Sequence, residues 1–244
     1  MKYKLEVIGF SIEGCVAAQA AGAHRIELCD NPGEGGTTPS YGFIKKAREV
    51  LSIELYIMIR PRGGDFIYSR DEIEIMKQDI LVAKELGCDG IVLGILNEKG
   101  QVNFIDIKML TDVAYPMGVT FHRAFDRVKD PFQALEDIRN AGCERILTSG
   151  LEPTAKDGAG LLEKLIEKAG DLIIMPGSGI RSDNILELAN KLKTFEFHSS
   201  ARIARPSKQA ASLLNEKMDV ITVDIEEVEN IIKKLSSLNT LNNF

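Results

Sequence analysis

Eight short β-rich runs alternate with eight amphipathic helical stretches along the chain, and this alternation limits the possible folds more than any other feature. The predicted strands cover residues 4–9, 25–29, 54–59, 90–94, 118–122, 145–149, 171–175 and 194–198. The predicted helices cover residues 12–21, 40–50, 70–86, 104–114, 131–141, 157–169, 183–192 and 225–236. Eight strand–helix units close a (β/α)8 barrel, whereas the alternative, a doubly wound open sheet, usually has fewer. We therefore predict an α/β protein, a single (β/α)8 TIM barrel that forms one domain over residues 1–244.

Glycine precedes three of the predicted strands in similar sequence contexts. Gly22, Gly87 and Gly142 each follow a predicted helix. Such positions fit the left-handed backbone conformation that ends a helix and favours glycine. Cys88 and Cys143 come directly after two of these glycines, and we predict that they pack as small apolar residues.

The composition excludes several classes of protein. The net charge of −6 and the isoelectric point near 5.3 argue against binding nucleic acid through bulk electrostatics. No apolar run is long enough to span a bilayer, and the charged first residues lack the pattern of a signal peptide. The four cysteines are widely spaced and form no C-x-x-C pair, which is typical of reduced thiols in a cytoplasmic protein. We expect neither nucleic acid nor a membrane as a partner.

Short polar strings follow six of the predicted strands. These strings cover residues 27–30, 60–65, 122–126, 148–150, 176–179 and 198–202. Because the carboxyl ends of parallel strands lie on one side of the sheet, these strings should meet at one site. Two long connections, over 30–39 and 201–223, should form walls or lids on the same side.

Alternation along the strands selects the side chains that point into the barrel. It places Glu27, Arg60, His122 and His198 in the interior near the carboxyl ends, with apolar neighbours on the outside. We predict these four as catalytic residues, because carboxylate, imidazole and guanidinium groups serve acid–base chemistry and anion binding. A plain interior ion pair between Glu27 and Arg60 is the structural alternative, and the histidines could instead be metal ligands.

The last two strand–helix connections predict an anion site. Glycines let backbone N–H groups approach an anion closely, and barrels frequently bind phosphate with the loops after strands seven and eight. An ordinary tight turn that leads into a helix capped by Ser182 or Asp183 is the alternative. The residues predicted to bind a small anionic ligand are Arg62, Gly177, Ser178, Gly179, Ser199, Ser200 and Arg202.

Six strings of residues closely resemble the CutC family of copper homeostasis proteins. They are residues 25–29 (RIELC), 34–40 (EGGTTPS), 58–66 (MIRPRGGDF), 120–126 (TFHRAFD), 146–150 (ILTSG) and 197–201 (FHSSA). The resemblance covers residues 5–202 in order. It implies a TIM barrel, a cytoplasmic location, a homodimer and a role in copper homeostasis.

The residues themselves offer few soft ligands for copper. Cu(I) prefers thiolate and thioether ligands, and Cys29 is the cysteine at a strand carboxyl end, with Met58 and Met175 nearby. Some family members carry a cysteine where this chain has Ser199, so one possible soft ligand is missing. Two functions follow: a homeostasis protein that binds a copper ion through Cys29, or an enzyme for a small phosphorylated or carboxylated metabolite.

Overall fold

A computed structural model of the protein describes residues 2–208 and 218–241. The barrel strands are β1 (Lys4–Gly9), β2 (Arg25–Leu28), β3 (Glu54–Met58), β4 (Gly90–Leu93), β5 (Gly118–Phe121), β6 (Arg145–Thr148), β7 (Ile173–Pro176) and β8 (Glu196–Ser199). The helices are α1 (Ile12–Ala20), α2 (Tyr41–Val50), α3 (Arg70–Glu85), α4 (Phe104–Ala114), α5 (Pro131–Asn140), α6 (Ala159–Lys168), α7 (Ile185–Lys191) and α8 (Ile225–Leu241). Each barrel strand is thus followed by a helix.

The eight strands form one parallel sheet that curls into a nearly closed barrel. Their order is β7-β6-β5-β4-β3-β2-β1-β8, so β1 pairs with both β2 and β8. No ladder hydrogen bonds join β7 to β8 in the described residues. At this seam the Thr194 hydroxyl donates a hydrogen bond of 2.7 Å to the carbonyl oxygen of Ile174. The predicted (β/α)8 architecture is confirmed.

Local signals set the helix ends. Helix α3 starts with a capping box in which Ser69 and Glu72 each satisfy the other's backbone N–H group. Gly22, Gly87 and Gly142 follow helices with φ values of +96°, +72° and +95°, which confirms the predicted left-handed conformation.

The main hydrophobic core lies between the outer face of the barrel and the helices. Phe121 and Phe197 point outward from their strands into this core and are fully buried. Cys88 and Cys143 belong to the same core, as predicted, and so does Cys15. The outward-facing positions are apolar, so the polar strand residues are left to the barrel interior.

The connection between β8 and α8 differs from the predicted loop over 201–223. It contains two antiparallel strands, β9 (Arg202–Arg205) and β10 (Val220–Val223). Every residue of β9 is exposed, so this strand carries no alternation of apolar and polar residues from which to predict it. Residues 209–217 of the predicted loop lie outside the described residues. None of the described helices combines the length and the apolar character that crossing a membrane requires.

Candidate functional site

A cavity of about 850 Å³ lies at the carboxyl ends of the barrel strands. Eight of the residues predicted from the sequence line it: Glu27, Arg60, His122, Ser178, Gly179, His198, Ser200 and Arg202. Four others lie outside its wall: Cys29, Arg62, Gly177 and Ser199. The loop after β2 and the loop after β4 contribute further lining residues, Gly33–Gly35 and Leu96–Glu98.

Three buried side chains meet at the base of this cavity. His198 Nδ1 lies 2.7 Å from Glu6 Oε1, and His198 Nε2 lies 3.9 Å from Glu27 Oε2. The other carboxylate oxygen of Glu27, Oε1, is buried and has no hydrogen-bond partner in the part of the chain that the structure describes. The alternation in β1, β2 and β8 places all three side chains in the interior.

The surroundings shift the pKa values of the Glu6 and Glu27 carboxyl groups in opposite directions. Burial raises the pKa of Glu6, but Arg25 and His198 outweigh burial and lower that pKa to about 2. Burial raises the pKa of Glu27 to about 7; His198 lowers it, and the negative charge of Glu6 adds to the rise. Burial lowers the pKa of His198, but Glu27 and Glu6 outweigh it and raise that pKa above its ordinary value. Glu27 and His198 are therefore two coupled groups, and the pKa of each lies above its ordinary value.

Two buried arginines lie deeper in the barrel. Arg25 Nε donates to Glu6 Oε2 over 2.5 Å, and Arg25 Nη2 donates to Glu196 Oε2 over 2.6 Å. Arg145 Nε donates to the same Glu196 oxygen over 2.7 Å, and Arg145 Nη1 donates to Glu144 Oε1. Neither arginine was predicted as an interior residue from the sequence, although Arg25 has the same strand parity as Glu27. These ion pairs neutralise the carboxylates below Glu27.

His122 stands apart from this group, directly after β5. Its Nδ1 accepts a hydrogen bond of 3.1 Å from the backbone N–H of Ala124, so the neutral ring carries its proton on Nε2. Nε2 is buried and has no partner among the described residues. Burial, with a contribution from the positive charge of Arg60, lowers the pKa of His122 to about 3. The imidazole is therefore a neutral N–H donor at physiological pH.

Arg60 does not form the predicted alternative, an ion pair with Glu27. Its Nη1 donates to the backbone carbonyl oxygens of Glu34 and Gly36, over 2.7 Å and 2.8 Å, and its Nη2 donates to that of Gly64. Arg60 thus joins the loop after β2 to the loop after β3. No carboxylate pairs with it among the described residues, so its charge is buried without a counterion.

The side chains of the predicted anion site are partly engaged elsewhere. The hydroxyl groups of Ser178 and Ser199 donate to backbone carbonyl oxygens over 2.8 Å and 2.7 Å. Arg62 forms ion pairs with Glu72 and Asp65. Gly179, Ser200 and Arg202 line the cavity, and the anion site stays a prediction.

The predicted helix start near this site is wrong by two residues. Helix α7 begins at Ile185, and its N-terminal cap residue is Asn184, whereas Ser182 or Asp183 was expected. The reason is that Ser182 is bound by a carboxylate from α8. The backbone N–H and the hydroxyl group of Ser182 each donate a hydrogen bond of 2.8 Å to Glu227.

Asp126 holds the loops after β5 and β6 together. Its carboxylate accepts hydrogen bonds from the Thr148 hydroxyl and from the backbone N–H groups of Ser149 and Leu151. It also pairs with Arg123 Nε over 2.7 Å. Asp126 lines the cavity, but its role in joining the two loops could not be inferred from the sequence.

Glu6, Glu27 and His198 could also hold a metal ion, because their ligand atoms lie within 4.8 Å of one another. Carboxylate and imidazole ligands suit divalent ions better than Cu(I). Cys29 lies against Gly36, and its thiol is within hydrogen-bonding reach of the Glu27 carboxylate; burial and Glu27 raise the pKa of this thiol well above its ordinary value. The unpartnered Glu27 oxygen fits a bound cation, whereas a protonated, buried thiol is a poor ligand.

The fold and the site define a (β/α)8 barrel with a polar, acid- and histidine-containing cavity at the carboxyl ends of its strands. The model of the CutC family matches residues 3–203, and the chain belongs to this family. It is 52% identical over 199 residues to the family protein CutC of Chromobacterium violaceum, covering 81% of each chain. It is 46% identical over 206 residues to the human copper homeostasis protein cutC homolog, covering 84% of this chain and 76% of that one.

A solved structure supports the same relationship. The crystal structure of the copper homeostasis protein CutC from Streptococcus agalactiae superposes with a TM-score of 0.78 and 32% sequence identity. The match covers 81% of this chain and 98% of that chain. Fold and sequence therefore agree on the family.

Proposed function

We propose that the protein is an enzyme that performs acid–base chemistry on a small anionic metabolite bound in the cavity. The observation that carries this proposal is the Glu27 carboxyl group, which lies beside His198 and whose buried Oε1 has no hydrogen-bond partner within residues 2–208 and 218–241. A group whose pKa lies near 7 at a cavity wall is suited to accept and return a proton at neutral pH.

A purely structural role explains Glu27 less well. An unsatisfied buried polar group costs about 1–3 kcal/mol of stability. The other two interior carboxylates, Glu6 and Glu196, are compensated by arginines. Glu27 has no arginine partner in the described part of the chain. The stability lost by burying its unpartnered oxygen supports a role for Glu27 in binding or catalysis.

Guanidinium groups at the cavity support an anionic ligand. Arg127 and Arg202 line the cavity and form no ion pair within residues 2–208 and 218–241. Such groups pair well with carboxylates and phosphates. Arg60 adds a buried positive charge at the same wall.

A library of phosphorylated and carboxylated metabolites tests this function by thermal shift, followed by NMR detection of turnover. We expect Glu27→Gln to lower turnover of a metabolite that binds by about 10²–10⁴-fold while the metabolite still binds. Glu98→Gln is the matched control, because Glu98 lines the same cavity but is exposed. Equal turnover by the wild type and Glu27→Gln would contradict the proposal, as would the absence of any converted metabolite.

A metal-binding role is the second candidate, favoured by the grouping of Glu6, Glu27 and His198. The human relative's name associates that protein with copper homeostasis. In this role His198 and Glu27 would bind the ion, and Glu6 would orient the imidazole through Nδ1.

Calorimetric titrations separate the two copper oxidation states. We expect stoichiometric Cu(II) binding that is lost in His198→Ala and retained in Cys29→Ser. Cu(I) binding under reducing conditions that is lost in Cys29→Ser would instead identify the thiol as the ligand.

The cysteines support the proposed cytoplasmic location. Cys15, Cys29, Cys88 and Cys143 are all buried and free. Free thiols persist in reducing compartments, where disulfides are rare.

A further inference from the structure

Arg60 is a buried cation, and none of the described residues supplies a counterion for it. The residue is 6% exposed, its Nη atoms donate to the backbone carbonyl oxygens of Glu34, Gly36 and Gly64, and the neutral phenol of Tyr68 lies beside it. Its Nε has no hydrogen-bond partner among the described residues. Buried charges in proteins are ordinarily paired, so this guanidinium indicates that a negative group belongs nearby.

His122 lines the same cavity as Arg60, and its Nε2–H group is a hydrogen-bond donor without an acceptor among the described residues. The residue is 4% exposed, its Nδ1 accepts from the Ala124 N–H, and its Nε2–H has no partner in the described part of the chain. The neutral ring therefore presents a hydrogen to the wall, and no lone pair.

The imidazole is held in one orientation by its neighbours. Its centroid lies 5.0 Å from that of the Phe66 ring, and the Arg60 guanidinium carbon lies 5.0 Å from the same Phe66 centroid. A Cβ atom at Gly94 would come within 2.5 Å of His122 Cε1 and Nδ1, so only glycine leaves room for the ring. Arg60, Phe66 and His122 thus form a preorganised surface whose polar atoms are donors alone.

We propose that Arg60 and His122 form an oxyanion subsite, and that the metabolite of the proposed enzyme binds there through a carboxylate or a carbonyl oxygen. The inference rests on the proposed function and narrows its substrate class to carboxylates and 2-oxo acids. The positive charge of Arg60 attracts a carboxylate, and the fixed Nε2–H of His122 donates to one of its oxygens. Negative charge that develops on that oxygen during a reaction would be stabilised by the same donor.

Pyruvate and oxalate serve as probes, and inorganic phosphate and glycerol serve as comparisons. A matched pair of variants isolates the donor: His122→Gln keeps an N–H group near the position of Nε2, and His122→Asn removes it while keeping a polar atom near Nδ1. We expect pyruvate affinity to fall by about tenfold or more in His122→Asn and to stay within about threefold in His122→Gln. Equal affinity in all three proteins would overturn the proposal, as would a wild type that binds neither carboxylate.

Nitrogen-15 NMR gives a second readout that needs no turnover. The chain has 3 histidines, and the variants assign the His122 signals. We expect the neutral Nε2–H tautomer from about pH 5 to pH 8, with an Nε2–H resonance that shifts when pyruvate binds. An imidazolium or an Nδ1–H tautomer at neutral pH would overturn the proposal.

Glu27→Gln distinguishes the two proposals. If Arg60 and His122 form the oxyanion subsite, the Glu27→Gln variant should bind pyruvate as the wild type does, whether or not the protein is an acid–base enzyme. Loss of turnover in that variant tests only the proposed function.

Discussion

Glu6 and Glu27 show how position decides the chemistry of two identical side chains. Both carboxyl groups approach the His198 ring, one at each nitrogen. Arg25 contacts Glu6 directly and outweighs the burial that raises its pKa. No arginine among the described residues contacts Glu27 directly, so burial dominates and the pKa of Glu27 rises. Two carboxyl groups whose pKa values are driven apart in this way can take different roles in proton transfer.

The raised pKa of Glu27 predicts a pH-dependent cost to stability. Between its ordinary pKa of 4.5 and its folded value of about 7, the folded protein keeps a proton that the unfolded chain has released. This carboxyl group therefore stabilises the fold less as the pH rises through that range. Relative to the wild type, Glu27→Gln should be more stable at pH 8 than at pH 5, by about 2–3 kcal/mol.

Urea denaturation at both pH values measures this difference. Glu98→Gln is again the control and should show no change between the two conditions, because Glu98 is exposed. A Glu27→Gln variant with the same pH dependence as the wild type would show that Glu27 is ionised in the folded protein without cost.

At the scale of elements, buried ion pairs join strands that are not neighbours in the sheet order. Arg25 on β2 and Arg145 on β6 both contact Glu196 on β8. Replacing Arg25 with Met would leave Glu6 and Glu196 buried with less compensation. We expect this change to lower the free energy of unfolding by about 3–5 kcal/mol.

Chemical denaturation with a surface control checks this expectation. Lys77 pairs with Glu74 on the exposed face of α3, and Lys77→Met should cost less than about 1 kcal/mol. Adding Glu6→Gln to Arg25→Met should recover part of the loss, since it removes one uncompensated charge. Similar costs for Arg25→Met and Lys77→Met would contradict the importance of this network.

The junction of the loop after β6 with α6 depends on a close backbone approach at Gly158. A Cβ atom there would lie 1.9 Å from the carbonyl oxygen of Ser149. Gly158→Ala should therefore destabilise the protein by about 1–3 kcal/mol. Gly160, two residues on in α6, has open space around its Cα, and Gly160→Ala should stabilise the protein by about 0.5–1 kcal/mol. Thermal unfolding of both variants compares the two effects, and equal melting temperatures would refute the steric reason.

At the scale of the whole molecule, one end of the barrel carries the candidate site. The cavity lies where the carboxyl ends of the strands meet, and loops from distant parts of the chain enclose it. A ligand that binds only the folded protein raises its melting temperature through mass action. We expect pyruvate at about ten times its dissociation constant to add about 1.4 kcal/mol of stability, a shift of about 2–4 °C.

Differential scanning calorimetry measures this shift. Sodium chloride at equal ionic strength controls for general salt effects, and His122→Asn should show a smaller shift than the wild type. An equal shift with chloride would indicate no specific site.

The alternation of apolar and polar residues along the strands explains how much of the fold and of the site can be predicted from the sequence. The alternation along β8 predicts which of its faces is internal. The structure places Phe195 and Phe197 outside, against the helices, and Glu196 and His198 inside the barrel. Arg25 obeys the same rule as Glu27, so its internal position was available from the sequence. The exposed strand β9 carries no such alternation and was missed.

The sequence alone determined the order of the barrel strands and their helices, the closure into a barrel and the end at which the polar residues gather. These follow from local periodicity and from the parallel direction of the strands. Only the tertiary structure decided which charges pair. Arg60 contacts backbone carbonyl oxygens from two loops, and Glu227 reaches Ser182 from 45 residues away. Such contacts join residues distant along the chain, and the pKa values of Glu27 and His122 depend on burial that exists only after folding.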